Sequence, residues 1–240
     1  MNRLRCYLAL GLLGCTSAAF AEVSSTVTLA NDYDFRGISL SAKDPAVQAS
    51  LDYAHDSGFY VGAWGSNADF GPGFDVDYEV DLYAGFTGGA EDGLGWSAGI
   101  VYYMWPGGQY PEGSGLDDLD YPEIFAGLSY GMFSGKVWYS NDYSATDEDG
   151  YYFEGNVAVP LPANFTLNLH AGYSVGDYWK DINGDEPLDY SVGVGYTVGH
   201  FNLNLKYVDT ESDVIIKDDA FNNEGRVIFT IATTFPWANE

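Results

Sequence analysis

The chain is poor in cysteine, histidine and basic residues, and each scarcity closes off a class of chemistry. Its two cysteines, Cys6 and Cys15, both lie among the first 21 residues. Everything after them is without a thiol, which excludes a disulfide framework, a thiolate nucleophile and a cysteine-ligated zinc site there. Three scattered histidines, His55, His170 and His200, do not make a zinc site either. With 9 Lys and Arg against 35 Asp and Glu, the formal charge is −26. Nucleic-acid phosphates are repelled by such a surface. Beyond residue 21 no run of about 18 apolar residues occurs, which excludes a membrane-spanning helix. G-x-S-x-G occurs at Gly95–Gly99, Gly127–Gly131 and Gly172–Gly176, but each lies in or at the end of an alternating, strand-like stretch and none opens a helix as a nucleophile elbow does. The glycines never fall in the strand–loop–helix context that cradles a nucleotide. What the chain does have is apolar and aromatic mass. It is 46% apolar and 17% aromatic, too much for a solvated acidic tail.

The first 21 residues read as an export signal. Arg3 and Arg5 precede the apolar stretch Cys6–Gly14, and Ala19-Phe20-Ala21 forms an A-x-A cleavage site before Glu22. The expected organisation is a signal peptide over 1–21 and one folded domain over 22–240. An alternative cleavage at Leu12-Leu13-Gly14-Cys15 would make Cys15 a lipid anchor.

From Val23 onward the pattern alternates with period two, the signature of strands with chemically different faces. Phe165, Leu167, Leu169, Ala171 and Tyr173 alternate with Thr166, Asn168, His170, Gly172 and Ser174. Twelve strands are expected near 23–35, 46–55, 59–67, 75–86, 94–105, 122–130, 135–141, 151–159, 165–174, 189–198, 201–209 and 225–235. Every second connection is short, as at Asp56-Ser57-Gly58 and Gly199-His200, and those between are longer and more polar. An outer-membrane barrel sorts its connections this way, with tight periplasmic turns and longer external loops. Its backbone groups must all be paired in hydrocarbon, so the first strand is expected to close on the last. The aliphatic face carries Phe59, Phe86, Trp96, Phe165, Phe201 and Phe235 toward the short turns, and Tyr78, Tyr102, Tyr139, Tyr173, Tyr190 and Tyr207 toward the long loops. Two aromatic rings at opposite strand ends match interfacial girdles. A soluble β-sandwich or lipocalin-like barrel, with the aliphatic face inward, is the competing arrangement.

The segment Leu29–Asn67 resembles the N-terminal signature of the TorF-family porins of Gram-negative outer membranes, a group long catalogued as of unknown function. The resemblance is carried by Asp32-Tyr33-Asp34-Phe35-Arg36-Gly37-Ile38-Ser39, by Pro45-Ala46-Val47-Gln48, and by Ser57-Gly58-Phe59-Tyr60-Val61-Gly62 followed by Trp64. It implies an exported barrel with a pore, hints at small amine-oxide or similar solutes, and supplies no catalytic residues.

On the polar face, Asp52, Asp77, Glu79, Asp81, Glu123 and Glu154 are expected to form an acidic wall of the lumen. Arg36, Lys136, Lys206 and Arg226 supply its bases, and Tyr60, Trp64 and Trp138 an aromatic constriction. Facing walls of opposite sign would orient dipolar solutes, and the excess of acid would favour cations. Direct pairing of the acids with the bases would instead close the lumen. Arg36 either contacts solute at the mouth or neutralises Asp32 and Asp34. The long loops are acidic as well, at Asp117-Asp118 with Asp120, Asp147-Glu148-Asp149, Asp181 with Asp185-Glu186, and Asp218-Asp219. They read as solvated charge, since Asp181–Glu186 lacks the spacing of a calcium loop. No histidine has a serine partner on the lipid-facing side, so no hydrolytic site is expected.

The resulting expectation is an all-β, antiparallel transmembrane barrel of about twelve strands in the cell outer membrane. It would pass small hydrophilic solutes passively, favouring cations or zwitterions, with no catalytic residue, cofactor or metal. Its partners would be outer-membrane lipid and lipopolysaccharide, the barrel-assembly machinery and small polar solutes, with no nucleic acid and an open oligomeric state. The alternative is a non-conducting structural or adhesive surface barrel with a lumen filled by side chains.

Overall fold

The computed structural model describes residues 22–90, 93–116 and 119–237. The expected signal segment with Cys6 and Cys15 lies outside the described residues, as do Asp117 and Asp118. Twelve strands form one closed antiparallel barrel. They are β1 (Glu22–Ala30), β4 (Ala46–Ala54), β5 (Phe59–Asn67), β6 (Tyr78–Gly89), β7 (Gly95–Met104), β8 (Tyr121–Tyr130), β9 (Phe133–Ser140), β10 (Gly150–Pro160), β11 (Phe165–Val175), β12 (Leu188–Val198), β13 (Phe201–Glu211) and β14 (Arg226–Phe235). Two further short strands, β2 (Asp34–Phe35) and β3 (Ile38–Ser39), make a hairpin of their own. From β4 onward each barrel strand pairs with the next. β1 then closes the cylinder, with Ser25 opposite Phe235 on one side and Ala30 opposite Ala46 on the other. No ladder edge is left open, which is what a wall in hydrocarbon requires.

The aliphatic rows point out of the barrel. Leu51 is 59% exposed, and Leu29, Leu82, Ile100, Ile124, Val192, Leu205 and Phe229 stand exposed on other strands. Most of the aromatic residues expected at the two rims are exposed with them, including Phe86, Trp96, Phe165, Phe201, Tyr78, Tyr102, Tyr190 and Tyr207. The aliphatic side chains therefore do not build a core. The competing sandwich, whose core they would have formed, is overturned.

Among the strand boundaries that differ from expectation, two do so for identifiable reasons. The first strand was expected to run to Phe35 but stops at Ala30. Asn31 takes over the ladder with its side chain, donating from Nδ2 to the Val227 carbonyl at 3.2 Å and accepting from the Phe229 N–H at 2.6 Å. The backbone is thereby freed to leave the wall, and residues 31–45 turn into the barrel. The fourth expected strand was to begin at Asp75 but begins at Tyr78. Gly71, Gly73 and Asp75 hold positive φ (78°, 98° and 48°), which keeps that stretch out of the ladder.

The inward hairpin turns on Arg36-Gly37, with Phe35 opposite Ile38 and both turn residues at positive φ (52° and 81°). That is the pattern of a two-residue primed turn. At Gly37 a Cβ would run into the Thr210 hydroxyl and lie 2.6 Å from Asp189 Cβ, so glycine is required by conformation and by space. Arg36 holds the left-handed region without a glycine's freedom, at a cost of about 1–2 kcal/mol, and its side-chain contacts offset that cost.

The long connections were expected to be solvated. Asp147, Asp181, Asp218 and Asp219 do stay exposed, but the aromatics of these connections fold inward and meet. Tyr33, Phe70, Trp105, Tyr121, Tyr143 and Trp179 form a continuous buried cluster with Phe74, Tyr110 and Phe221 packed against it. Phe70 and Phe221 lie 4.8 Å apart, and Tyr121 and Tyr143 also 4.8 Å apart. Connections between five successive strand pairs and the inward segment thus share one aromatic cap over the mouth.

Candidate functional site in the barrel lumen

Because alternate residues of each strand face inward, the polar rows of twelve strands line one enclosed space. Toward the short-turn end the lining between β12, β13, β14 and β1 is made of hydroxyls and amides. Thr26 and Thr234 hydroxyls lie 2.9 Å apart, and the Thr197 hydroxyl donates to Asn202 at 2.9 Å. The charges collect higher, where residues 31–45 enter.

Three ionic groups meet there. In the first, Arg36 donates to both carboxylate oxygens of Glu123, at 2.9 and 2.6 Å, and the Tyr103 hydroxyl donates to the same carboxylate at 3.0 Å. The guanidinium lies 4.4 Å from the ring centroid of Tyr152 and 4.7 Å from that of Phe35, both within cation–π range. The two side chains are 6% and 0% exposed, so this is a desolvated bidentate pair. In the second, Arg226 donates to Asp32 and Asp34 at 2.6 Å each, and Lys206 donates to Asp34 at 2.6 Å. Ser39 adds a hydroxyl to Asp32 at 2.6 Å. In the third, the Tyr152 hydroxyl donates to Asp189 at 3.0 Å, and both His170 ring nitrogens face oxygens, Asn156 Oδ1 at 2.7 Å and Asp189 Oδ1 at 2.9 Å. Trp138 Nε1 and Asn156 Nδ2 both donate to Glu154. Gly172 makes this third group possible, because any Cβ there would strike the Tyr152 hydroxyl and lie 2.6 Å from Asp189.

The arrangement corrects one reading of Arg36. It neither stands at the mouth nor neutralises Asp32 and Asp34. Its partner is Glu123, across the lumen on β8, while Asp32 and Asp34 are held by Arg226 and Lys206 from β14 and β13. A turn residue projects beyond its own strands, so the distant wall is within reach when the nearby one is not.

The chain belongs to a bacterial family of unknown function. The family's model, described as bacterial protein of unknown function (Gcw_chp), matches residues 15–235. No curated protein matches the chain. Solved structures with a similar fold include a KdgM porin in complex with disordered oligogalacturonate, at TM-score 0.54 and 8% identity, covering 90% of this chain and 99% of that one. A NanC porin in a rhombohedral crystal form aligns at TM-score 0.55 and 8% identity, covering 90% of this chain and all of the other. The barrel of this Gcw_chp chain therefore has the porin fold.

The remaining expected lumen residues are placed unevenly. Asp52 faces inward and accepts from the Tyr83 and Ser50 hydroxyls. Glu79 and Asp81 also face inward and are 1% and 3% exposed. Asp77 does not join them; it lies before β6 and is exposed. Lys136 has no carboxylate within ion-pair distance among the described residues, and its ammonium lies 4.5 Å from the Trp138 centroid and 4.8 Å from that of Phe125. The expected constriction of Tyr60, Trp64 and Trp138 is not one ring. Tyr60 reaches over Gly85, Trp64 packs on Tyr33, and Trp138 on Phe125. The lumen is narrowed instead by the inward hairpin, whose Asp32, Tyr33 and Asp34 the residue pattern alone had assigned to a wall strand. In the loop cap, burial pushes the Tyr110 and Tyr143 hydroxyls above the ordinary phenol range, so both act there as neutral hydrogen-bonding groups.

Proposed function

We propose that this protein is an outer-membrane, porin-like channel for small hydrophilic solutes, favouring cations and zwitterions. The observation that carries the reading is a closed twelve-stranded barrel with an aliphatic outer face and an inner face of hydroxyls, amides and charges. An aliphatic outside is stable in lipid and costly in water. The resemblance of Leu29–Asn67 to TorF-family porins supports the same assignment, with residues 1–21 acting as the export signal. Barrel-assembly machinery, outer-membrane lipid and lipopolysaccharide are its partners in this reading. Selection is by size at the Arg36 hairpin and by charge around it, where Asp52, Glu79 and Asp81, on β4 and β6 at either side of β5, have no basic partner within ion-pair distance among the described residues. No step of turnover is involved.

Purified protein in planar bilayers under a KCl gradient tests this. Conductance steps with a reversal potential on the potassium side are expected, and their absence rejects the channel. The aromatic cap favours a second reading, a non-conducting surface barrel whose lumen is filled. Silent bilayers together with full membrane insertion would support that one.

A further inference from the structure

Among the described residues, Glu79 and Asp81 are buried acids whose oxygens lack a closed hydrogen bond or a basic partner. Both lie on the lumen face of β6, roughly 7 Å apart along the strand, and Asp81 feels the charge of Glu79. No hydrogen bond of good geometry closes on Glu79 Oε1, Glu79 Oε2 or Asp81 Oδ1, although all three are buried and the Tyr33 hydroxyl, Trp105 Nε1 and the Asp81 carboxyl stand beside Glu79. The lumen bases that are ion-paired are committed elsewhere: Arg36 to Glu123, Lys206 to Asp34, and Arg226 to Asp32 and Asp34. Buried carboxylates without counter-charge are costly, and the cost is relieved either by a proton or by a cation, so the pair is a place where an entering cation can take over from a proton.

The chemistry around it narrows the kind. Trp64 lies opposite Asp81 on β5 and packs on Tyr33 at 5.4 Å. Tyr103 lies opposite Asp81 on β7 and stacks with Trp105 at 6.3 Å and 18°. Trp105 Nε1 is itself buried beside Glu79 without closing a hydrogen bond of good geometry. Oxygen donors are too few for calcium or magnesium, which take six or more. Three unpartnered acceptors match the three N–H donors of a primary ammonium group, and aromatic faces favour a desolvated organic cation.

We propose that Glu79 and Asp81, walled by Tyr33, Trp64, Tyr103 and Trp105, form a binding site for the primary ammonium group of a small amine or zwitterion. Tyr33 is its lid. It is carried by the inward segment, so its displacement admits the ligand without breaking a barrel ladder. The site names the solute class of the channel reading and rests on that reading for its role, but its occupancy can be measured without any current.

The test is tryptophan fluorescence and thermal unfolding of the purified protein in detergent, titrated with methylammonium chloride at constant ionic strength. Tetramethylammonium, which has no N–H, and potassium serve as comparisons. A saturable methylammonium response with an apparent Kd at least tenfold below that of either comparison cation is expected. Glu79→Gln and Asp81→Asn should each weaken it about tenfold or more and together abolish it, and exposed Asp77→Asn should leave it unchanged. The single variants decide the matter if the double variant does not fold. Equal responses to potassium and methylammonium, no response in the wild type, or a response that survives the single variants overturns the site. Conductance without methylammonium binding removes the site and keeps the channel. Binding in a protein that never conducts does the reverse.

Discussion

Replacing Glu123 with leucine should release the inward hairpin while leaving the barrel standing. Glu123 accepts two hydrogen bonds from Arg36 and one from Tyr103, and neither it nor Arg36 meets solvent appreciably. Glu123→Leu keeps roughly the same volume but leaves a guanidinium buried and unpaired. Breaking one side of such a pair costs about 3–5 kcal/mol. The barrel ladders do not depend on it, so the cost falls on the seating of residues 31–45. The hairpin can rehydrate Arg36 by leaving the lumen. At about 1.4 kcal/mol per tenfold, its opening equilibrium should rise roughly 100- to 4,000-fold. Hydrogen exchange reads this directly. The Ser39 N–H donates to the Asn222 carbonyl at 2.9 Å and the Leu40 N–H to the Tyr33 carbonyl at 2.8 Å, and both amides should lose protection by that factor. Amides within the β10–β11 and β12–β13 ladders should not change. The variant carrying both Glu123→Leu and Arg36→Met removes both charges and should recover most of the protection, less what Arg36 gains from the Tyr152 ring. Unchanged exchange at Ser39 and Leu40 in Glu123→Leu, or equal loosening across the ladders, would refute the idea that this ion pair seats the hairpin.

Two other outcomes follow from the same coordinates. Leu51→Arg, on the outer face of β4, should destabilise the barrel by about 2–4 kcal/mol in bilayers, measured by reversible urea unfolding from vesicles; no difference from Leu51→Ala would mean that this face does not contact hydrocarbon. In the loop preceding β12, partial burial raises the Asp185 carboxyl, but the Ser212 hydroxyl and the backbone N–H groups of Asp213, Glu186 and Val214 outweigh it and hold the group below the ordinary Asp range. A depressed carboxyl stabilises its contacts above the unfolded-chain value of about 3.9 and loses them as pH falls through the lower folded value. The Asp213 amide resonance, hydrogen-bonded to Asp185 at 2.5 Å, should therefore shift with a midpoint below 3.9. A midpoint at or above the ordinary value, or the same titration in Asp185→Asn, would contradict this.

Sequence determined the wall of this protein. Period-two alternation over Phe165–Ser174 and its counterparts places aliphatic rows on one face, and the sorting of short and long connections places twelve strands around a closed cylinder. These are local properties, since a strand's two faces and its turns are written within some ten residues. The inward faces of Glu79, Asp81, Glu123 and Glu154 were legible for the same reason. What fills the cylinder was decided only in three dimensions. Asp32–Ser39 continues an alternating pattern, and nothing within it announces that Asn31 will replace the ladder and send it inside. Arg36 meets Glu123 from 87 positions away, and Phe70, Trp105, Tyr143 and Phe221 meet from separate loops. A closed barrel brings the ends of all its strands to one rim, so residues with no relation along the chain become neighbours there, and which of them pair is fixed by geometry across the lumen rather than by spacing in the sequence.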